Sequence, residues 1–442
     1  MTDTIELPLW TVLPFVGLLL CIAILPLVAH HLWESNRNKG LVAALLALPV
    51  AIYLPAAHGE AGVHQLLEKA HEFVAFIALL GALFVVTGGI VVRGSLSGTP
   101  LLNTALLAIG GGIASFIGTT GASVLLIRPL LRANRARRRM AHIVVFFIFV
   151  VSNCGGLLTP LGDPPLFLGF LKGVPFEWTF RLWREWLLVN GALLLVFNLW
   201  DQQVFAREER ERPGSQLEEV QEHEPLRIAG KRNLPFLAAI VATIYASGSG
   251  LGTGGSPWPP GLQEGLMLAV AIGAYLVTPD AYRRENGFSF APIVEVAVLF
   301  AGIFVTMAPA LLLLNQHAPS FGIREPWQFF WATGALSSFL DNAPTYLTFA
   351  ATACGLEGVP LEGRYLAEYL ALHPHGAAIL AAISTGAVFM GANTYIGNGP
   401  NFMVKAIAEE SGVPMPSFFG YMAYSGAILL PLFAVVTLVF FR

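Results

Sequence analysis

The chain has 442 residues, of which 55% are hydrophobic and 12% are charged, and its formal net charge is −3. Soluble domains carry about 25% charged residues, so this composition excludes an ordinary soluble domain. The near-neutral charge gives no indication of nucleic-acid binding. Apolar runs of about 20 residues recur along the chain, which indicates a polytopic protein of the lipid bilayer. The three cysteines lie far apart and lack the spacing of a metal site.

Apolar segments in chain order predict about ten membrane spans. They are 8–29, 40–57, 71–92, 141–171, 183–205, 234–250, 262–278, 291–314, 377–409 and 418–441. The first is long enough to remain as a span rather than to be a cleaved signal. Two spans, 141–171 and 377–409, are interrupted near their middle by Gly, Pro and polar residues. A helix opens inside lipid only where protein or a wet cavity satisfies the freed backbone groups.

The two interrupted spans have similar polar content. The first interruption, SNCGGLLTPLGDPP, contains Ser152, Asn153, Thr159 and Asp163. The second, GANTYIGNGPN, contains Asn393, Thr394, Asn398 and Asn401. Two broken helices at corresponding places in two halves of a chain are the best sequence indication of a transporter's binding site. The alternative is a pair of kinked helices that bind nothing.

Two further apolar stretches, 101–131 and 327–353, predict re-entrant hairpins. Each is interrupted so that its two arms are too short to cross about 30 Å of hydrocarbon at 1.5 Å per residue. We expect polar tips at mid-depth in the membrane, formed by Thr119, Thr120 and Ser123 in the first hairpin and by Asp341, Asn342 and Thr345 in the second. The alternative for each stretch is a pair of ordinary spans joined by a tight turn.

The basic residues predict the orientation. Six arginines between Arg128 and Arg139 follow the first hairpin, so loop 132–139 is expected in the cytoplasm. The polar linker 206–232 is expected on the same side, as a solvated connector between an N-terminal half, 1–205, and a C-terminal half, 233–442. Each half then contains a span, a hairpin and a broken span. The predicted fold is an all-α polytopic membrane protein with inverted-topology repeats.

Ionisable side chains inside the membrane are costly and usually functional. Asp341 and Asp163 are the strongest candidates, because hard cations prefer oxygen ligands and a carboxylate in a low dielectric can exchange a proton near neutral pH. We predict a Na⁺ site at Asp341, Asn342 and Asn393. The alternative for each aspartate is a helix N-cap. Glu72 and Glu295 are further proton-coupling candidates, or plain acids at the membrane interface. No nucleophile–base pair indicates an enzyme, and no motif indicates a cofactor.

Three segments, SNCGGLLTPLGDPP (152–165), SSFLDNAPT (337–345) and GAVFMGANTYIGNGPN (386–401), resemble the signature segments of the ion transporter superfamily. The chain most resembles D-type bacterial sodium/proton antiporters and citrate-transporter-like sequences, over about residues 40–440. This resemblance implies a scaffold domain, a transport domain, often a homodimer, and binding where the hairpin tips meet the broken helices. Carboxylate carriers of the superfamily usually have Ser-Asn-Thr at both tips, whereas this chain has Thr-Thr-Gly and Asp-Asn-Ala.

An acidic tip repels a polyanion and attracts a cation. The sequence therefore favours a secondary Na⁺/H⁺ antiporter of the bacterial inner membrane. The alternative is a Na⁺- or H⁺-coupled carrier of citrate or another small carboxylate. Antiport predicts no cationic side chain facing the site, whereas a citrate site would need an arginine, or helix N-termini and hydroxyls in its place.

Overall fold

A computed structural model describes residues 7–33, 35–94, 98–211, 227–254, 258–373 and 375–442. The helices of the first half are α1 (Leu13–Val28), α2 (His30–Trp33), α3 (Asn36–Gly88), α4 (Pro100–Ile117), α5 (Thr119–Ala133), α6 (Ala141–Val150), α7 (Pro164–Leu171) and α8 (Trp183–Glu211). Those of the second half are α9 (Asn233–Ser249), α10 (Leu262–Val277), α11 (Asp280–Glu285), α12 (Ala291–His317), α13 (Pro326–Ser337), α14 (Asn342–Leu356), α15 (Tyr365–Leu372), α16 (Gly376–Met390), α17 (Gly399–Glu410) and α18 (Phe418–Phe440).

Eight helical stretches of the described chain are long and apolar enough to cross a membrane, and two shorter apolar helices, α9 and α10, accompany them. The predicted fold class, an all-α polytopic membrane protein, is confirmed. The first arm of the first predicted hairpin, α4, has 18 residues and is among these eight. Helix α4 is therefore long enough to span the membrane, contrary to the expectation for that arm. Helix α13, with 12 residues, is as short as expected.

Helix α3 covers 53 residues and contains two predicted spans. Gly59, at φ +56°, breaks it into two arms, and a conformation of this kind favours glycine. A Cβ on Gly62 would lie 2.1 Å from the Leu54 carbonyl oxygen, so the second arm folds back closely against the first. The segment 58–70, between the two predicted spans, is thus helical on either side of a one-residue break.

A short antiparallel strand pair, β1 (Val91–Arg93) and β2 (Arg227–Ala229), joins the two halves, with Val92 opposite Ile228. Val91 and Val92 belong to the predicted span 71–92 and β2 belongs to the predicted linker 206–232, so this pairing was not predicted. Helix α8 also continues into the predicted linker as far as Glu211. Positions 212–226 of that linker lie outside the described residues.

The helices pack in two groups. The α3–α12 group consists of α1, α3, α9, α10 and α12, and the hairpin group consists of α4 to α8, α13, α14 and α16 to α18. The two groups also contact each other, mainly where α14 packs against α12 and α5 against α3. Stacked rings such as Phe76 and Phe300, with centroids 4.8 Å apart, join α3 to α12. Helix α6 is buried along almost its whole length inside the hairpin group, as expected of a helix that is apolar on every face.

A buried polar cluster joins elements within the hairpin group. Asp201 of α8 is fully buried and pairs with Arg137 at 2.6 Å and His142 at 2.8 Å. The amide of Asn103 in α4 donates to the same carboxylate at 3.0 Å. Glu208, about two turns further along α8, accepts from the Arg137 side chain at 3.0 Å. The cluster fixes α4, α6, α8 and loop 132–139 relative to one another.

Candidate functional site

The first broken helix is interrupted between α6 and α7. Helix α6 ends at Val150, a short 3₁₀ turn covers Cys154–Leu158, and α7 starts at Pro164. Proline suits the first turn of a helix, where its missing N–H is not needed. A Cβ on Gly162 would lie 2.0 Å from the Gly156 carbonyl oxygen, so the two chain segments of the break can approach this closely only as glycines. Asp163 is left at the N-cap position of α7.

The second broken helix repeats this arrangement. Helix α16 ends at Met390, a 3₁₀ turn covers Gly391–Asn393, and α17 starts at Gly399 with Pro400 in its first turn. Asn398 occupies the N-cap position of α17. The amide of Asn401, one turn into α17, donates to the carbonyl oxygens of Gly391 and Thr394 at 2.8 and 2.9 Å. The freed backbone acceptors of the break are therefore satisfied inside the protein, as the membrane requires.

Both hairpin tips reach the broken helices. Helices α4 and α5 meet at Gly118, whose φ of +82° allows the sharp turn, and Thr119 is the first residue of α5. Helices α13 and α14 meet at Ser338 to Asp341, and Asn342 is the first residue of α14. Each tip thus presents the N-terminus of its second helix.

Asp163 lies at the centre of this arrangement and is only 1% exposed. Its carboxylate accepts hydrogen bonds from the Thr119 hydroxyl at 2.8 Å, the Asn398 amide at 3.1 Å and the amide of Asn342. These donors belong to the starts of α5, α17 and α14, and Asp163 itself precedes α7. Four helix N-termini therefore meet at one carboxylate, and their positive dipole ends and side-chain donors favour negative charge there.

Amides extend the site away from Asp163. The Asn398 amide nitrogen also lies 3.2 Å from the Asn153 side-chain oxygen and 3.2 Å from the Ser152 carbonyl oxygen. Asn153 in turn donates to the Asn401 side-chain oxygen at 2.7 Å. The hydroxyls of Ser152 and Ser123 lie 2.8 Å apart. Side-chain hydrogen bonds thus connect the two broken helices to each other and the first broken helix to the first tip.

The structure places Asp341 differently from the predicted position. Its carboxylate accepts from the backbone N–H of Ala343 at 3.0 Å, which is the N-cap interaction given as its alternative. The Thr345 hydroxyl donates to the Asp341 carbonyl oxygen at 2.9 Å. The described bonds do not join Asp341 to Asn393. Asn342 donates to Asp163 through its amide nitrogen, and the side-chain oxygens of Asn342 and Asn393 are buried without a hydrogen-bond partner among the described residues. The Na⁺ set of Asp341, Asn342 and Asn393 stays a prediction.

Ser338, rather than Asp341, contacts the second broken helix. Its hydroxyl accepts from the Asn393 amide at 2.9 Å, and its carbonyl oxygen accepts from the Thr394 hydroxyl at 2.5 Å. Ser338, its counterpart Ser115 in α4 and Asn401 were absent from the predicted site residues. Ser115 and Ser338 each lie four residues before the first residue of the next helix, and this shared spacing was the signal that could have identified them.

The other two acids predicted for proton coupling are paired with lysines. Glu72 is buried and lies 2.8 Å from the Lys69 amine and 2.6 Å from the Lys172 amine. Glu295 lies 2.6 Å from the Lys39 amine. Neither acid lines the cavity beside Asp163.

A cavity of about 30 Å³ lies between the first tip, the first broken helix and α3. It has room for a water molecule or a dehydrated ion. Thr119, Thr120 and Asp163 supply its polar side chains, and Leu83 and Phe84 of α3 are among its apolar walls. Asp163 is the one ionisable side chain among the described residues that line it.

A membrane protein in which two hairpin tips and two broken helices meet at a buried carboxylate has the architecture of a secondary transporter. The chain belongs to the family described as "Putative citrate transport", which matches residues 4–441. It is 24% identical over 416 residues to a 46 kDa membrane protein of Mycobacterium leprae, covering 88% of this chain and 90% of that protein. It is also 27% identical over 204 residues to an uncharacterized transporter of Schizosaccharomyces pombe, covering 41% of this chain and 23% of that protein.

Proposed function

We propose that the protein exchanges Na⁺ for H⁺, with the Asp163 carboxylate binding the two cations in turn. The observation that carries this proposal is the charge of the cavity. Asp163 is its ionisable group, and neither Lys nor Arg occurs among the described residues that line it. A cation entering the cavity meets a carboxylate, whereas an anion would meet a like charge without a basic side chain to offset it.

Oxygen atoms next to the Asp163 carboxylate can serve as further ligands for Na⁺. The Asn342 side-chain oxygen is buried and has no hydrogen-bond partner within the described chain. The Thr119 hydroxyl is adjacent to the carboxylate. Carboxylate, amide and hydroxyl oxygens are the ligands that hard cations accept. We therefore assign Na⁺ binding to Asp163, Asn342 and Thr119, in place of the set predicted from the sequence.

Exchange follows if the carboxylate binds one cation at a time. Ionised Asp163 holds either Na⁺ or a proton, and each complex is neutral at the carboxylate. The ionised, empty site is costly to move through a low dielectric, so return without a cation is slow.

In this proposal the hairpin group is the transport domain, and it moves against the α3–α12 group as scaffold. We further propose a homodimer in a bacterial inner membrane, with loop 132–139 and linker 206–232 in the cytoplasm.

A second candidate is a Na⁺- or H⁺-coupled carrier of citrate or another small carboxylate. The family description names citrate transport. The four helix N-termini around Asp163 would attract an anion once that carboxylate is protonated. This observation keeps the carboxylate carrier as the alternative to be tested directly.

The test is transport by purified protein in liposomes. Na⁺ pulses should change the internal pH reported by a trapped dye, and radiolabelled citrate should not accumulate under Na⁺ or proton gradients. Asp163→Asn should abolish the Na⁺-dependent pH change. Citrate uptake by the wild type without Na⁺/H⁺ exchange would replace the antiporter proposal by the carboxylate carrier.

A further inference from the structure

We infer that Asp163 and Asn398 are equivalent positions of an internal twofold, and that Asn398 limits the site to one negative charge. The inference rests on the proposed function and adds a residue that determines how much charge the site carries. Aspartate and asparagine have the same size and shape, so the charge is the only large difference between the two positions.

The backbone of the two broken helices supports this equivalence. Asp163 has φ −147° and ψ 145°, and Asn398 has φ −152° and ψ 140°. Each is an N-cap residue with proline in the first turn of the following helix. Thr159 and Thr394, which end the preceding 3₁₀ turns, have φ −137° in both cases. Both pairs are separated by 235 positions in the sequence.

The two hairpins are also equivalent to each other, with a different separation in the sequence from that of the broken helices. Ser115 and Ser338 are 223 positions apart, and so are Thr119 and Asn342. The Thr159 hydroxyl donates to the Ser115 carbonyl oxygen, and the Thr394 hydroxyl donates to the Ser338 carbonyl oxygen. Each hairpin therefore contacts its own broken helix through the same pair of groups.

The two equivalent residues bond to each other at the middle of the site, where the Asn398 amide lies 3.1 Å from the Asp163 carboxylate. Exchanging the two side chains keeps one carboxylate and one amide at this distance and reverses only which half supplies each. Thr119 and Asn342, the equivalent residues of the two tips, both donate to the present carboxylate. Donors from both halves are therefore present for a carboxylate on either side.

The experiment is an exchange of charge between the two positions. Asp163→Asn should reduce Na⁺/H⁺ exchange in liposomes to background. The double variant Asp163→Asn/Asn398→Asp should regain at least about one tenth of the wild-type rate and should again bind ²²Na⁺. The matched control is Asp163→Asn/Asn198→Asp, which places the new carboxylate on α8 beside Thr104, outside the site, and it should stay at background.

The outcomes separate the inference from the proposed function. Near wild-type exchange by Asp163→Asn would overturn both. An inactive Asp163→Asn together with a folded double variant that neither binds nor exchanges Na⁺ would overturn the inference alone, as would equal rescue by the control.

A second variant decides the matter if the double variant does not fold. Asn398→Asp alone puts two carboxylates in contact, and like charges at this distance favour retention of a shared proton. The pH for half-maximal ²²Na⁺ binding should then rise by about one unit, whereas Asn198→Asp, outside the site, should leave it nearly unchanged. Asp341, which also acts electrostatically on Asp163, is the same in both variants. The absence of a shift in Asn398→Asp would overturn the inference.

Discussion

At the scale of single residues, Asp163 and Asp341 look alike in the sequence but differ in their contacts. Each stands at the start of a helix. Asp341 caps its own helix, whereas Asp163 makes no cap bond and instead accepts from three other segments. The N-cap pattern is local, so the sequence could identify both as candidates. Which carboxylate reaches across the molecule depends on helix packing, which the sequence pattern does not specify.

The two aspartates should therefore respond differently to loss of charge. We expect Asp163→Asn to lose Na⁺/H⁺ exchange, because the exchangeable carboxylate is removed. Asp341→Asn should retain most of it, because asparagine is as good an N-cap as aspartate. Initial rates in liposomes, normalised to folded protein, would measure both. The reverse order of activities would return the ion site to Asp341.

Thr119 should contribute to stability as well as to binding. Its hydroxyl donates to a buried carboxylate at 2.8 Å, and a hydrogen bond to a charged group contributes about 1.5–3 kcal/mol. We expect Thr119→Val to lower the thermal unfolding temperature and to weaken Na⁺ binding. Thr119→Ser, which keeps the hydroxyl, serves as the control. Equal melting of the valine and serine variants would show that the bond contributes little.

At the scale of elements, the buried charge cluster between α3 and α7 connects the two helical groups. Lys69 and Glu72 lie in α3, and Lys172 directly follows α7. Lys172 also pairs with Glu68 at 2.7 Å. Since removing one member of a buried pair leaves the other charge uncompensated, this contact fixes α7 against α3 in the present arrangement.

Glu72→Gln should consequently be more damaging than loss of an exposed pair. It leaves the buried Lys69 facing a neutral amide and Lys172 with Glu68 alone, and breaking a buried pair costs about 3–5 kcal/mol. The control is Glu409→Gln, which removes the exposed partner of Lys405 and should cost about 0–1 kcal/mol. Thermal unfolding of the purified variants would compare them. Similar unfolding temperatures for the two would contradict the assigned role of the cluster.

Elements were predictable from sequence to the extent that local signals determine them. Apolar runs marked the spans, and Pro164 and Pro400 marked the restart of the broken helices. The strand pair was missed because it depends on residues such as Val92 and Ile228, far apart in the chain, meeting in the fold. The single-residue break at Gly59 was also missed, because a glycine between apolar runs does not specify whether a loop or a sharp turn follows.

At the scale of the whole molecule, the orientation in the membrane is open to direct measurement. Arg135 in loop 132–139 and Thr253 after α9 are both exposed. A single cysteine at 135 should react with an impermeant reagent only after the cells are opened, and one at 253 should react in intact cells. Labelling would be measured in a variant in which Cys21, Cys154 and Cys354 are replaced. Asn134 in the same loop would not serve as a labelling site, because its side chain is buried. Reaction at 135 from outside would invert the proposed topology.

The internal twofold also bears on the direction of transport. A carrier made of two identical halves would show each face to its surroundings equally often and with equal affinity. This chain breaks that equality at its centre, where one half supplies Asp163 and the other supplies Asn398, bonded at 3.1 Å. The inward-open and outward-open forms of the proposed antiporter should therefore differ in energy, and half-saturating Na⁺ concentrations measured from the two sides of the membrane should be unequal. At subsaturating Na⁺ the proposed exchange should then run faster in one direction than in the other, and the single unmatched carboxylate should determine which direction is faster.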